Sequence, residues 1–192
     1  MILVNNINET FKNTAIILVD SRINATNQVK WNDLIFFVDK ENNVESINVL
    51  DSAKYNLNLD KKFYSLDDST YVNISQIASD LGLKIKNEPK FIYGEVLSRE
   101  THPKSQKLFV LQVKINDNQT IQIVTNTLDS TVGSVLVLAL PGSFTFKGMR
   151  IIENKVLNVD SFGMLTGYQT LGIDKEGLIF GTHTDIGKDF NL

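Results

Sequence analysis

The feature that most constrains this chain is the pattern of its second half, where short apolar segments are separated by turn residues. Phe109, Leu111, Val113 and Ile115 alternate with other side chains, and such period-two alternation predicts a strand with one buried face. Asparagine, glycine and proline mark the turns. The predicted strands are 91–97, 108–115, 120–125, 135–140 and 150–157, with polar loops at 98–107 and 160–167.

This density of short strands predicts a small antiparallel barrel in the second half of the chain. A five-stranded oligonucleotide-binding (OB) barrel is a natural candidate, because closing the sheet removes most of its exposed edges. The strand pattern alone does not separate an OB barrel from other small barrels.

The first half predicts an α+β unit. Apolar residues at i, i+3, i+4 and i+7 from Ile74 predict a helix, which Asn73 would cap at its start and Gly82 would end. The charged segment before Pro89 marks a domain boundary, which divides the chain into domains 1–87 and 88–192. Strands are predicted at 14–19, 33–38 and 44–49, the last two joined as a hairpin by a polar turn at 39–43.

The composition excludes several kinds of site. The chain has no cysteine and two histidines, so disulfides, iron–sulfur clusters and thiolate zinc sites are excluded, and we expect no cofactor and no metal. No G-x-S-x-G element surrounds Ser161, which argues against a catalytic triad with His102. No apolar run is long enough to span a bilayer and the N-terminus lacks a signal-peptide pattern, so a cytoplasmic protein that makes no membrane contact is expected.

Basic residues in the second half suggest a ligand face despite a formal net charge of −3 for the whole chain. Lys104 and Lys107 lie in the first predicted loop between strands, and Lys147 and Arg150 bracket a later turn. Loops of this kind flank the ligand face of an OB barrel. The alternative is that these charges only solvate the surface.

Four motifs together resemble a known family. They are G94-E-V-L-S-R-E-T-H-P-K-S-Q-K-L, I121-Q-I-V-T-N, G133-S-V-L-V-L-A-L-P-G and S161-F-G-M-L with L171-G-I. They resemble the tRNA-binding OB domain of bacterial phenylalanyl-tRNA synthetase β subunits, of methionyl-tRNA synthetase C-termini and of free-standing tRNA-binding proteins. With the preceding α+β unit, the layout is most similar to that of the YtpR-type stand-alone tRNA-binding proteins.

The resemblance implies an α+β N-terminal unit followed by an all-β OB-fold barrel that binds folded tRNA largely independently of sequence and has no catalytic activity. The expected partners are tRNA and aminoacyl-tRNA synthetases. A homodimer is also expected, because two weak RNA-binding faces in one particle raise the apparent affinity. The chain departs from the family pattern at Ser105-Gln106, Thr125-Asn126 and Thr170, which puts RNA affinity in question more than the fold. The residues expected to bind RNA are His102, Lys104, Lys107, Asn126, Lys147, Arg150, Ser161, Gly163 and Met164.

Two other functions stay open. The barrel could serve as a protein-interaction or dimerisation module that docks on synthetases and has little RNA affinity, as the negative charge and the altered loop residues suggest. An enzyme is the third alternative, but the sequence shows no convergent polar cluster that would support one.

Overall fold

Apolar side chains that alternate along the first half of the chain form a six-stranded antiparallel sheet. Its buried face packs on one α-helix, α1 (Asp68–Asp80), and Phe36, Ile47 and Ile74 are among the fully buried side chains of this core. The strand order is β3-β4-β5-β2-β1-β6. These strands are β1 (Leu3–Asn6), β2 (Ala15–Leu18), β3 (Asn27–Trp31), β4 (Leu34–Val38), β5 (Val44–Val49) and β6 (Phe63–Ser65).

The structure is a computed structural model that describes residues 1–192, and it is mostly β. The chain divides into two compact units. The first contains residues 1–88, 142–150 and 191–192, and the second contains residues 89–141 and 151–190. Residues 142–150, which the sequence analysis assigned to the second domain, therefore group with the first unit. None of the helices has the length and apolar character needed to cross a membrane.

Helix α1 begins earlier than predicted, and its predicted cap was wrong. The Asp67 carboxylate accepts the Thr70 backbone N–H at 2.9 Å, so Asp67 rather than Asn73 is the N-cap. The buried face extends back to Thr70, one turn before Ile74, which explains the earlier start. The predicted end is confirmed: Gly82 adopts a left-handed conformation (φ +72°) just beyond the last turn.

The second unit contains a curled five-stranded sheet, a half-barrel that is consistent with an OB-like barrel. Its strands follow the order β13-β10-β7-β8-β9, and every described pairing is antiparallel. Leu111, Val113, Ile123 and Leu136 form the centre of its core. The strands are β7 (Phe91–His102), β8 (Ser105–Asn116), β9 (Gln119–Thr125), β10 (Val135–Ala139) and β13 (Met164–Leu165); β11 (Asn154–Val156) and β12 (Val159–Ser161) form a separate hairpin.

Three predictions about this unit were wrong. Residues 98–107, predicted as a loop, continue β7 and β8 into one long hairpin that turns only at Pro103 and Lys104. The strand predicted at 150–157 contains only Asn154–Val156: residues 150–153 are not part of it, and Leu157 and Asn158 adopt positive φ and turn the chain into β12. The predicted loop at 160–167 contains the end of β12 and all of β13, which is the last strand of the sheet.

Candidate nucleic-acid interface

His102 joins the two segments that carry the first and last motifs. Its side chain is 2% exposed, and its Nδ1 accepts the Lys104 backbone N–H at 3.0 Å. Because a backbone amide only donates, Nε2 carries the ring proton and donates to the Val156 carbonyl oxygen at 3.0 Å. The turn of the β7–β8 hairpin is thereby tied to the β11–β12 hairpin.

The S-x-G-M element holds the end of the sheet together. The Ser161 hydroxyl accepts the Val124 backbone N–H at 3.0 Å and donates to the Gly163 carbonyl at 3.2 Å. Gly163 has φ +137°, and a Cβ at this position would lie 2.6 Å from the Ala139 carbonyl oxygen, so glycine is required there. Met164 follows as a partly buried residue of β13, paired with Ala139. The geometry therefore gives Ser161 and Gly163 a structural role.

Two of the predicted lysines project from the β7–β8 hairpin without an acidic partner. The side chains of Lys104 and Lys107 are exposed, and neither forms an ion pair. Lys114, further along β8, differs because its ammonium lies 2.9 Å from the Asp117 carboxylate, whose hydrogen bond raises the pKa of Lys114. Lys104 and Lys107 therefore keep their charges available for an anionic ligand.

Asn126 lies at the same end of the sheet as Lys107. It is exposed and directly follows Thr125, the residue of β9 that pairs with Phe109 of β8. Lys107 lies two residues before Phe109, so both polar side chains occur where the β8–β9 ladder ends. An amide and an ammonium at one strand end can both reach phosphate or sugar oxygens.

The other two predicted basic residues belong to the first unit. Lys147 is exposed next to the turn at Gly148. The Arg150 guanidinium donates to the backbone carbonyls of Ser21 and Ile23 and, at 2.6 Å, to the Glu45 carboxylate. These bonds occupy most of the donors of Arg150, so its guanidinium is not free to bind a ligand in the way that Lys104 and Lys107 are.

The charge of the second unit is unevenly distributed. The unit contains eight Lys and Arg residues and ten Asp and Glu residues, a net charge of −2. Residues 98–107 of the β7–β8 hairpin contain three basic residues (Arg99, Lys104 and Lys107) and one acidic residue (Glu100), a net charge of +2. The positive charge of the unit is thus concentrated on this hairpin, next to the motif residues.

One charged residue of this region was missed by the sequence analysis. The guanidinium carbon of Arg99 lies 3.6 Å from the centroid of the Phe109 ring, in a cation–π contact. No local pattern indicates this pair, because residues 98–107 look like a loop and the register of β7 on β8 is a tertiary property.

Comparison with known proteins agrees with these motifs. The family model described as a putative tRNA-binding domain matches residues 91–188, just over half of the chain. A phenylalanine–tRNA ligase β subunit of Clostridium acetobutylicum is 33% identical over 103 residues, which cover 51% of this chain and 13% of the relative. The β subunit of Campylobacter jejuni is 30% identical over 122 residues, which cover 59% of this chain and 16% of the relative.

The chain spans about an eighth of the length of the first of these curated relatives. Among solved structures, a protein of Pyrococcus horikoshii described as MetRS related is 19% identical, with a TM-score of 0.40, and the match covers 56% of this chain and 99% of that one. The family match over residues 91–188 includes the β7–β8 hairpin, Ser161 and Gly163. The chain therefore belongs to the family of putative tRNA-binding domains.

Proposed function

We propose that this chain binds tRNA through the second unit, as an OB-fold barrel that contacts the RNA backbone, reads little sequence and has no catalytic activity. The observation that carries the proposal is that Lys104 and Lys107, which are exposed and have no acidic partner, lie within the segment that the family model matches, residues 91–188. Phosphate contacts supply sequence-independent affinity, and lysines without a carboxylate partner provide them at the lowest cost.

The predicted site residues take two kinds of role in this proposal. Lys104, Lys107 and Asn126 contact RNA, because their side chains are exposed at one end of the sheet. His102 and Ser161 position the segments that carry the contacts, since both are nearly buried and use their polar atoms on the protein backbone.

Three further predicted residues complete the assignment. Gly163 allows the close approach of β13 to β10, and Met164 contributes apolar surface beside it. Lys147 stays a proposed RNA contact, but of the first unit. We leave Arg150 out of the interface, because its guanidinium already binds two carbonyls and a carboxylate.

The test is a fluorescence-anisotropy titration with mixed tRNA over a series of salt concentrations. Lys104 and Lys107 together contribute about −2 to the slope of log K against log salt, because each neutralises one phosphate. Lys107→Ala should weaken binding to unrelated tRNAs by a similar factor and reduce the slope by about 1. Lys114→Ala is the matched control, because Lys114 is on the same strand but is paired with Asp117. Absence of binding at both low and moderate salt would refute the proposal.

A second candidate function is protein–protein interaction, including homodimerisation or docking on an aminoacyl-tRNA synthetase. It is favoured by Leu128 and Val132, whose side chains are 72% and 61% exposed between β9 and β10, and by the negative charge of the unit. Sedimentation equilibrium tests dimerisation, and a synthetase pull-down repeated after nuclease treatment tests docking without RNA. A monomer that captures no synthetase would eliminate this candidate.

A further inference from the structure

Arg99 is a charged residue at the margin of the barrel core with no partner of opposite charge. It pairs with Leu111 across the β7–β8 ladder, and directly opposed residues of an antiparallel pair point to the same face. Leu111 is fully buried, so Arg99 points to the face of the sheet that forms the core. Its side chain is only partly buried, which places it where that face emerges from the core.

The buried polar atom of Arg99 is not satisfied within the protein. Its Nε is buried without a hydrogen-bond partner, and Arg99 forms no ion pair. Burying an unpaired cation costs free energy, because the lost hydration is not replaced. The contact with Phe109 offsets part of this cost through the quadrupole of the ring.

The contact with Phe109 also fixes the orientation of the guanidinium. A guanidinium that lies over an aromatic ring uses one face for the ring and keeps its edge donors for a ligand. Lys107 lies two residues before Phe109 on the same strand, so its ammonium and the Arg99 guanidinium belong to the same part of the β7–β8 hairpin. A forked donor and a second cation therefore occur together, which suits an oxyanion with several oxygen atoms.

From this geometry we infer that Arg99 binds a phosphate of the RNA backbone, with Phe109 holding the guanidinium in place and Lys107 adding a second contact. This inference rests on the proposed tRNA binding and names a residue within it. It also explains why Arg99 is partly buried without a partner of opposite charge in the protein, because the RNA phosphate is that partner.

The test compares three variants in the same salt-series titration with mixed tRNA. Arg99→Met keeps most of the length and apolar bulk of the side chain but removes the charge, and it should weaken binding about tenfold at low salt and reduce the slope by about 1. Arg99→Lys should keep the slope and lose part of the affinity, because it lacks the fork. Phe109→Leu should weaken binding severalfold with the slope unchanged, because no charge is lost.

Thermal unfolding separates a ligand contact from a packing role. If Arg99 serves the ligand, Arg99→Met should leave the melting temperature of the free protein unchanged or raise it. An Arg99→Met variant that binds tRNA with wild-type affinity and slope would overturn the inference while leaving the proposed function intact. A wild-type protein that binds no tRNA would instead refute the proposed function itself, and the inference with it.

Discussion

Replacing Gly163 with alanine should strongly destabilise the second unit. The added Cβ would lie 2.6 Å from the Ala139 carbonyl oxygen, well inside van der Waals contact, and the obstacle is backbone that cannot rotate away. The backbone also has φ +137°, which L-residues rarely adopt. Strained backbone costs about 1–3 kcal/mol and overpacking about 1–3 kcal/mol more, so we expect a loss of about 4 kcal/mol.

Gly133→Ala is the matched control for this substitution. Gly133 belongs to the same unit and has φ +84°, but a Cβ there would meet no atom within 4 Å. Only the cost of a left-handed conformation remains, about 1–2 kcal/mol. The difference between the two variants therefore reports the contact between Gly163 and β10 together with the additional strain of the Gly163 backbone.

Differential scanning calorimetry is the assay, because two units need not unfold as one transition. For a unit of this size about 1 kcal/mol corresponds to roughly 4–5 °C, so Gly163→Ala should lower one melting transition by about 15–20 °C and Gly133→Ala by about 5–10 °C. Trp31 fluorescence reports the first unit, which should be unaffected. Equal shifts for the two variants would refute the structural role assigned to Gly163.

Two further predictions concern the first unit. Arg150→Met should destabilise this unit by about 2 kcal/mol in a urea titration followed by Trp31 fluorescence, because it leaves the mostly buried Glu45 carboxylate and two carbonyls without their donor; an unchanged midpoint would contradict it. Hydrogen bonds from the side chain of Ser69 and the backbone of Thr70 lower the pKa of Asp67 to about 2. Asp67→Ala should therefore lower the free energy of unfolding by about 1 kcal/mol at neutral pH. Because the folded-state pKa is depressed, the difference from wild type should be complete above about pH 4 and vanish as the pH falls through 2, which urea titrations at several pH values can measure. A difference that persists at pH 2 would argue against a charged cap.

Local patterns were enough to predict much of the framework. The alternation around Leu111 and Val113 predicted β8, and the polar turn at 39–43 predicted the hairpin of β4 and β5, because each is determined by residues that are neighbours in sequence. The apolar stripe from Ile74 predicted α1 for the same reason, although its start depended on Asp67, which lies outside that stripe. The motif residues were identified by resemblance.

The parts that could not be predicted depend on contacts between distant residues. Residues 98–107 form strands because the backbone hydrogen bonding between β7 and β8 continues there. Strand residues that face solvent do not need to alternate with apolar ones, so the local sequence does not show the strand. The two-residue strand β13 exists because Gly163 fits against Ala139, a contact that leaves no mark in the local composition. Arg150 has its partners more than a hundred residues earlier in the chain, so its charge alone suggested a ligand site.

Hydrogen–deuterium exchange with and without tRNA tests the central claim most directly. Binding through the β7–β8 hairpin predicts slower exchange in residues 103–108 and around Asn126 when tRNA is added at low salt, and loss of this protection at high salt. The helix α1 should exchange at the same rate in both samples. Protection confined to α1, or none in the hairpin at saturating tRNA, would contradict the claim.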